Sequence, residues 1–489
     1  MKYLGCCLSL LLLESAIGAA DKPNVLFIAV DDLRPEFGAY GKTYIKSPNL
    51  DKLAARGITF NRAYCQQAVC SPSRTCVLTG CRPDTTKVYD LMTHFRKAIP
   101  DVVTLPQHFK QNGYYVQGMG KLYHPGFDDE PSWSTPWTAP KGVLGYGTKE
   151  AQAIVQAVRE KLMKDGKTPK EVTQMARGPA FESADVKDDA YYDGALANMA
   201  IDTLRQLKEK KQPFFLGVGF IKPHLPFVAP KKYWDMYDPA KIELAKNPFR
   251  PKNAPQYAVL DGGELLYYHG IPKGHIPDDL ARQLKHGYYA AISYMDAQLG
   301  RVIDELDKLG LKDNTIIVLW GDHGWKLGEH DAWCKHSNVE LDTNAPLLMV
   351  VPGMKTAGKR SDALVEFVDI YPTLADLCGL SLPKHLEGVS FAPVLKNPEM
   401  LWKLAAFSQY PRGDGGKKMM GYSMRTDQHR FTRWVDKDNP GRIFAVELYD
   451  HKTDPAENTN VANDPANAAL VKQLTEQSVK GWRGATPKP

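Results

Sequence analysis

The sequence predicts an α/β protein: a mainly parallel sheet sandwiched by helices, followed by a small C-terminal α+β subdomain carrying an antiparallel sheet. Two observations predict the large layer. Short apolar runs end abruptly in polar residues, and segments with helical periodicity fall between them. A third predicts the subdomain, because beyond Leu386-Glu387-Gly388 the runs become short, closely spaced and strand-like.

The strand candidates follow in chain order. Residues 25–30 lead into Asp31-Asp32, and residues 114–119 into Gly120-Lys121-Leu122-Tyr123-His124. Residues 214–220 lead into Lys222-Pro223-His224, residues 315–320 into Gly321-Asp322-His323-Gly324, and residues 347–351 into Pro352-Gly353. Runs of this length, rich in β-branched and aromatic residues, favour buried strands. Helical spacing links Tyr288, Ala291, Ile292, Met295, Leu299, Val302, Leu306 and Leu309, with Gly310 as a stop, and residues 195–207 form a second helix candidate. Such a sheet binds ligands beyond the carboxyl ends of its strands. Four polar clusters fall there. Residues 126–190 and 240–280, rich in Pro, Gly and charge, read as long loops over those ends. Strand-like runs at 405–410, 421–425, 430–435 and 445–448 make up the antiparallel sheet.

Lys2, the apolar residues 4–13 and the small residues 16–20 have the layout of a cleaved export signal. The expected division is residues 1–20 signal, 21–385 catalytic domain and 386–489 C-terminal subdomain. The chain of 489 residues is 43% hydrophobic and 24% charged, which is globular composition. A net charge of +6 without any dense Lys/Arg run gives no nucleic-acid signature, and no further segment is apolar enough for stable membrane insertion. No Asn stands in an N-x-S/T acceptor, so the expected location is secreted or periplasmic, in a bacterium. Of eight cysteines, Cys65, Cys70, Cys76 and Cys81 crowd together without a C-x-x-C pair, a poor pattern for zinc or an iron–sulfur cluster. Disulfide pairing is not legible.

In Cys70-Ser71-Pro72-Ser73-Arg74, Ser71 is an N-cap candidate and Pro72 suits the first helical turn. Cys70 then stands at a helix N-terminus, where an anion is favoured. Taken alone, such a residue is equally a structural thiol or half of a disulfide. Asp31, Asp32 and Asp322 at strand ends suit a hard cation with oxygen ligands, calcium before zinc. Each aspartate alone also reads as an ordinary turn or cap. Lys121, His124, His224 and Lys335 singly are unremarkable cations; together they could neutralise an anionic group.

C-x-P-x-R followed by Leu78-Thr79-Gly80 resembles the signature of the type I sulfatases. The resemblance implies an alkaline-phosphatase-like fold. It also implies that a formylglycine-generating enzyme oxidises Cys70 to 3-oxoalanine (formylglycine). It further implies one calcium ion held by Asp31, Asp32, Cys70, Asp322 and His323, the last at a position often held by Asn. In that family one hydroxyl of the hydrated aldehyde attacks sulfur, and the other then loses its proton so that sulfate is expelled. Arg74 would hold the nucleophile in place and Lys121 would neutralise the transferring group. His124 would take the second hydroxyl's proton, and His224 with Lys335 would steady the sulfate and protonate the leaving oxygen.

Gln66-Gln67-Ala68-Val69, Arg82-Pro83-Asp84-Thr85-Thr86, Lys222-Pro223-His224 and Gly324-Trp325-Lys326-Leu327-Gly328-Glu329-His330 are similar to the iduronate-2-sulfatase branch of that family. His336 stands where that branch has Tyr. The implied substrate is a sulfated polysaccharide or oligosaccharide containing uronic acid. Two alternatives stay open: a phosphoester or phosphonate hydrolase of the same superfamily, and an inactive glycan-binding protein with an unmodified Cys70.

Overall fold

The computed structural model describes residues 22–260 and 263–487, so the predicted signal lies outside the described residues. The central sheet has seven strands: β1 (Asn24–Val30), β2 (Ile58–Phe60), β3 (Tyr115–Gly120), β4 (Phe214–Phe220), β5 (Thr315–Gly321), β6 (Leu347–Val350) and β7 (Arg360–Ser361). Their order across the sheet is β7-β2-β6-β5-β1-β4-β3. β1 runs parallel to both neighbours, with Ile28 opposite Val218 of β4 and Leu319 of β5. Only β6 runs against its neighbours. Every residue of β1, β4 and β5 is buried, as expected for strands covered on both faces.

Four helices bear on the site: α1 (Cys70–Thr79), α2 (Tyr192–Lys210), α3 (Asp278–Lys308) and α4 (Ile370–Leu377). The pleat of β1 sorts its side chains between two cores. Leu26, Ile28 and Val30 pack with Leu204 of α2 and Ile292 and Leu299 of α3. Val25, Phe27 and Ala29 pack with Val77 of α1 and Leu374 of α4. The helix expected from Tyr288 onward begins earlier, at Asp278, where Asp278 and Asp279 complement the positive end of its dipole.

Residues 126–190 are not loop throughout. They contain helices at Lys149–Lys164 and Pro169–Met175. Thr148 caps the first, and Thr168 with Glu171 forms a capping box on the second. The Pro and Gly flanking these helices had diluted their signal.

The C-terminal sheet is a meander of β8 (Ala405–Asp414), β9 (Lys417–Thr426), β10 (His429–Asp436) and β11 (Ile443–Asp450). Its strands are longer than the apolar runs alone indicated, since β8 and β9 continue as far as the Gly415-Gly416 turn. The sheet is tied to the segment before α1. Ser408 Oγ donates to Cys65 O at 2.6 Å and Gln409 N to Gln66 O at 2.8 Å. No helix among the described residues is long and apolar enough to cross a membrane.

Candidate active site

α1 begins at Cys70 itself, so the N-cap is Val69 and not Ser71. Val69 is fully extended, and its carbonyl accepts from Ser73 N at 3.1 Å, which starts the helix two residues ahead of the expected cap. Ser73 uses its hydroxyl elsewhere, donating to Asp322 O. The helix stops at Gly80, whose left-handed backbone (φ 68°) returns its N–H to Cys76 O. That left-handed backbone favours glycine, and a Cβ there would also have to displace Leu386 Cδ2, 2.3 Å away.

Four strand ends deliver the remaining groups. Asp31 and Asp32 leave β1, Lys121 leaves β3, His224 lies just past β4, and Asp322 and His323 leave β5. Asp32 holds a left-handed backbone (φ 56°), rare for a non-glycine residue, while its carbonyl accepts from Tyr288 OH at 2.7 Å. Asp31, Asp32, Asp322 and His323 are wholly buried.

Cys70 Sγ lies 3.6 Å from Asp31 Oδ1, 3.4 Å from His323 Nε2 and 3.7 Å from Lys121 Nζ. Burial first, and then Asp31, push its thiol above the usual range, the reverse of what a thiolate nucleophile needs. Among the described residues Arg74 makes no hydrogen bond to Cys70. Its guanidinium donates to Asp322 Oδ2 at 2.9 Å and to Asp31 Oδ1 at 3.0 Å. Lys121 donates to Asp31 Oδ2. Burial raises the Asp31 carboxyl, but Lys121, His224 and Arg74 outweigh it and hold it well below the usual range.

Asp32 is the under-compensated member. Burial drives its carboxyl up to about 7 although Lys335 opposes it, and Asp31 and Asp322 add to the rise. Lys335 Nζ lies 3.0 Å from Asp32 Oδ1 and 3.0 Å from Glu264 Oε2. His224 Nε2 lies 3.5 Å from Glu264 Oε1 and 3.9 Å from Asp32 Oδ2. Glu264, from a short 3-10 turn at Gly263–Tyr267, therefore joins the site although no motif marks it. An acid inside a stretch read as loop becomes visible only when that stretch folds over the strand ends.

The donor set fits a hard cation. Asp31, Asp32 and Asp322 present oxygens within 4.8 Å of one another, and Asp32, Cys70 and His323 meet the same limit. His323 Nδ1 lies 3.0 Å from Gly324 O, which only a donating Nδ1 satisfies. In the neutral ring Nε2 is then a lone pair facing Asp32 Oδ1 at 3.5 Å and Asp322 Oδ1 at 3.6 Å. Acceptors converging in this way are stabilised by a cation between them.

His124 stands within electrostatic reach of Lys121 and Asp31, and its Nδ1 is buried without a hydrogen-bond partner among the described residues. Burial and the neighbouring Lys121 lower its pKa to about 3. His336 lies aside, with Nδ1 3.7 Å from Cys334 Sγ and its ring against Tyr410. The six described cysteines are all free and buried.

Residues 23–380 match the Sulfatase family model, and residues 328–482 match that of the C-terminal region of N-sulphoglucosamine sulphohydrolase. Iduronate 2-sulfatase of Mus musculus is 36% identical, covering 94% of this chain and 95% of the relative. The Homo sapiens enzyme is 35% identical, covering 96% of each. A sulfatase of Formosa agariphila is 32% identical over 94% of this chain and 88% of its own. A structure solved with its substrate D-glucosamine-2-N,6-O-disulfate has a TM-score of 0.73 at 23% identity, covering 96% of this chain and 99% of that chain. Phosphonate monoester hydrolase from Silicibacter pomeroyi has a TM-score of 0.72 at 23% identity, covering 95% and 96%. At that identity the two structures speak for the fold alone, which is alkaline-phosphatase-like.

Proposed function

Because the chain belongs to the sulfatase family of sulfuric ester hydrolases, we propose that it desulfates a uronic-acid-containing glycan, with Cys70 as formylglycine for its nucleophile and calcium as its metal. One observation carries this reading: the Cys70 side chain opens a helix at the point where the Asp31 and Asp32 carboxylates and His323 converge. The length and level of identity to the iduronate 2-sulfatases support the glycan class.

Asp31, Asp32, Asp322, His323 and the Cys70 side chain would hold the calcium ion. Bound there, it polarises a sulfate oxygen and lowers the pKa of the attacking hydroxyl. Arg74 acts through the carboxylates it bridges, fixing Asp31 and Asp322 around the nucleophile. Lys121 places positive charge beside Cys70. His124, neutral with a free buried nitrogen, accepts a proton from the nucleophile side. His224 and Lys335, which meet at Glu264, donate to the leaving oxygen. The chain is exported, secreted or periplasmic, after cleavage near residue 20. A formylglycine-generating enzyme is its maturation partner. Residues 21–385 form the catalytic domain and 386–489 the subdomain.

The test is turnover of a substrate panel that includes iduronate 2-sulfate disaccharides, an aryl sulfate and an aryl phosphate, with peptide mass spectrometry at residue 70. The expected result is an aldehyde at residue 70, sulfate release faster than phosphate release, and no turnover in Cys70→Ala. Faster phosphate release would assign a phosphoester or phosphonate hydrolase. An unaltered thiol in protein from its native host, with no turnover, would leave a glycan-binding protein.

A further inference from the structure

A cavity of about 950 Å³ lies beside the catalytic cluster and shares no residue with it. Arg34 and Trp325 form the partition. Arg34 Nη1 donates to Trp325 O at 3.1 Å, and Lys335 of the catalytic side lies over the Trp325 ring at 4.8 Å. Two features of the cavity point to a ligand.

The first is Lys285 on α3. It lines the cavity and is only 5% exposed, yet its ammonium has no hydrogen-bond or ion-pair partner among the described residues. The Tyr289 ring centroid lies 6.0 Å away, and Glu329, Glu36 and Glu243 reach the ammonium through space without pairing with it. A buried ammonium whose three donors meet no acceptor is unfavourable unless something supplies one, and an anion supplies it best. The direct contacts of Glu36 and Glu329 go to Arg34, which pairs with both, although their charge still reaches Lys285. Lys42, Lys46 and Lys246, exposed on the same wall, also have no carboxylate partner among the described residues, against one acid without an ion pair, Glu243, so the unpaired charge of the wall is net positive.

The second is aromatic. Tyr289 packs against Tyr44 with ring centroids 5.6 Å apart and against Tyr237 at 5.7 Å. Tyr44 remains 45% exposed. Tyrosine surfaces flanked by hydrogen-bonding groups suit a sugar ring, which has an apolar face and a polar edge.

We infer that this cavity is an accessory site for an acidic saccharide unit, its ring on the tyrosine wall and its carboxylate or sulfate on Lys285. That the ligand is a saccharide rests on the proposed glycan substrate; the anion site rests on Lys285 alone. Such a site would hold a neighbouring part of a polymer whose end is being processed, so it would act on long substrates and leave small ones untouched.

The test measures binding of a heparin-derived tetrasaccharide by calorimetry to the Cys70→Ala chain, with and without Lys285→Met or Tyr44→Ala. Each substitution is expected to weaken binding about tenfold, the loss of one charge-assisted or stacking contact. In the Cys70 background both variants should turn over an aryl sulfate as the parent does. Lys285→Met removes an unpaired buried charge, so its melting temperature should not fall. Unchanged tetrasaccharide binding in both variants would overturn the inference. Equally tight binding of poly-glutamate would overturn the saccharide assignment. A parent chain that binds the tetrasaccharide through Lys285 but desulfates no glycan would sink the proposed function and leave this site standing.

Discussion

Arg74 bridges Asp31 and Asp322, with Nη2 3.0 Å from the first carboxylate and Nε 2.9 Å from the second. All three side chains are fully buried. The planar guanidinium is what lets one cation serve carboxylates delivered by two different strands. Arg74→Lys keeps the charge and loses the fork. Its turnover of an aryl sulfate is expected to fall about a hundredfold, comparable to other losses of a preorganised electrostatic contact. Arg74→Ala leaves two buried carboxylates facing each other and should destabilise by about 3–5 kcal/mol, less when calcium is saturating. Turnover in Arg74→Lys within a few-fold of the parent would show that charge alone suffices.

Calcium binding should release a proton. Without a cation, the Asp32 carboxyl sits at about 7, raised by burial and by its two acidic neighbours. A divalent ion beside it favours the charged form and lowers that value. At pH 6 the binding of one calcium is therefore expected to expel close to one proton, and calcium affinity should rise from pH 6 to pH 8. Calorimetry in buffers of differing ionisation enthalpy counts the proton. A count near zero would place Asp32 outside the ion's ligands. Chelation should also lower the melting temperature, since the ion binds only the folded chain.

His124 should stay neutral well below the ordinary imidazole range. Burial and the adjacent Lys121 lower its pKa to about 3, and a bound cation would lower it further. Its capacity to accept a proton is thus retained at pH 5, and the acid limb of the rate profile should not be that of a free imidazole. Ring NMR signals of His124 should not titrate between pH 5 and pH 8. A titration near 6.5 would overturn the assignment. His124→Ala should lose about 10²–10⁴-fold in turnover, the usual contribution of a positioned base.

Most of the sheet and the cluster at its strand ends were legible because both rest on local pattern. A buried parallel strand is a short apolar run, and its functional residues follow it directly, as Asp31-Asp32 follow β1 and Asp322-His323 follow β5. The helix starts two residues before the cap that Ser71 suggests, because Ser71 offers a side chain for capping while Val69 caps with backbone alone. Glu264 escaped notice for a different reason. Its partners Lys335 and His224 are distant in sequence, and no periodicity marks an acid that arrives by long-range folding. The cavity behind Arg34 was hidden likewise, since Tyr44, Tyr237 and Lys285 belong to three separate segments.

A second cluster, Glu340, His451 and Glu457, brings ligand atoms close enough for a metal, but Arg430 already occupies it. Its guanidinium donates to Glu457 Oε1 at 2.6 Å and to Glu340 Oε2, and it joins β10 to the segment just after Lys335. Burial raises the Glu457 carboxyl, but Arg430 and His451 bring it down to about 2. A folded value below the ordinary one contributes stability that is present above about pH 4.5 and lost as pH falls toward 2. Arg430→Met leaves the buried Glu457 with His451 alone and the part-buried Glu340 with Arg425 alone, and should cost about 3 kcal/mol at neutral pH. That deficit should shrink as pH falls below about 5, because the two carboxyls can then take up protons. Thermal melts of parent and variant at pH 4.5 and pH 7.5 give the comparison, and adding Glu340→Gln with Glu457→Gln should recover part of the loss. A deficit of equal size at both pH values would mean that Arg430 stabilises by packing over Tyr64, whose ring centroid is 5.8 Å away, rather than through its charge.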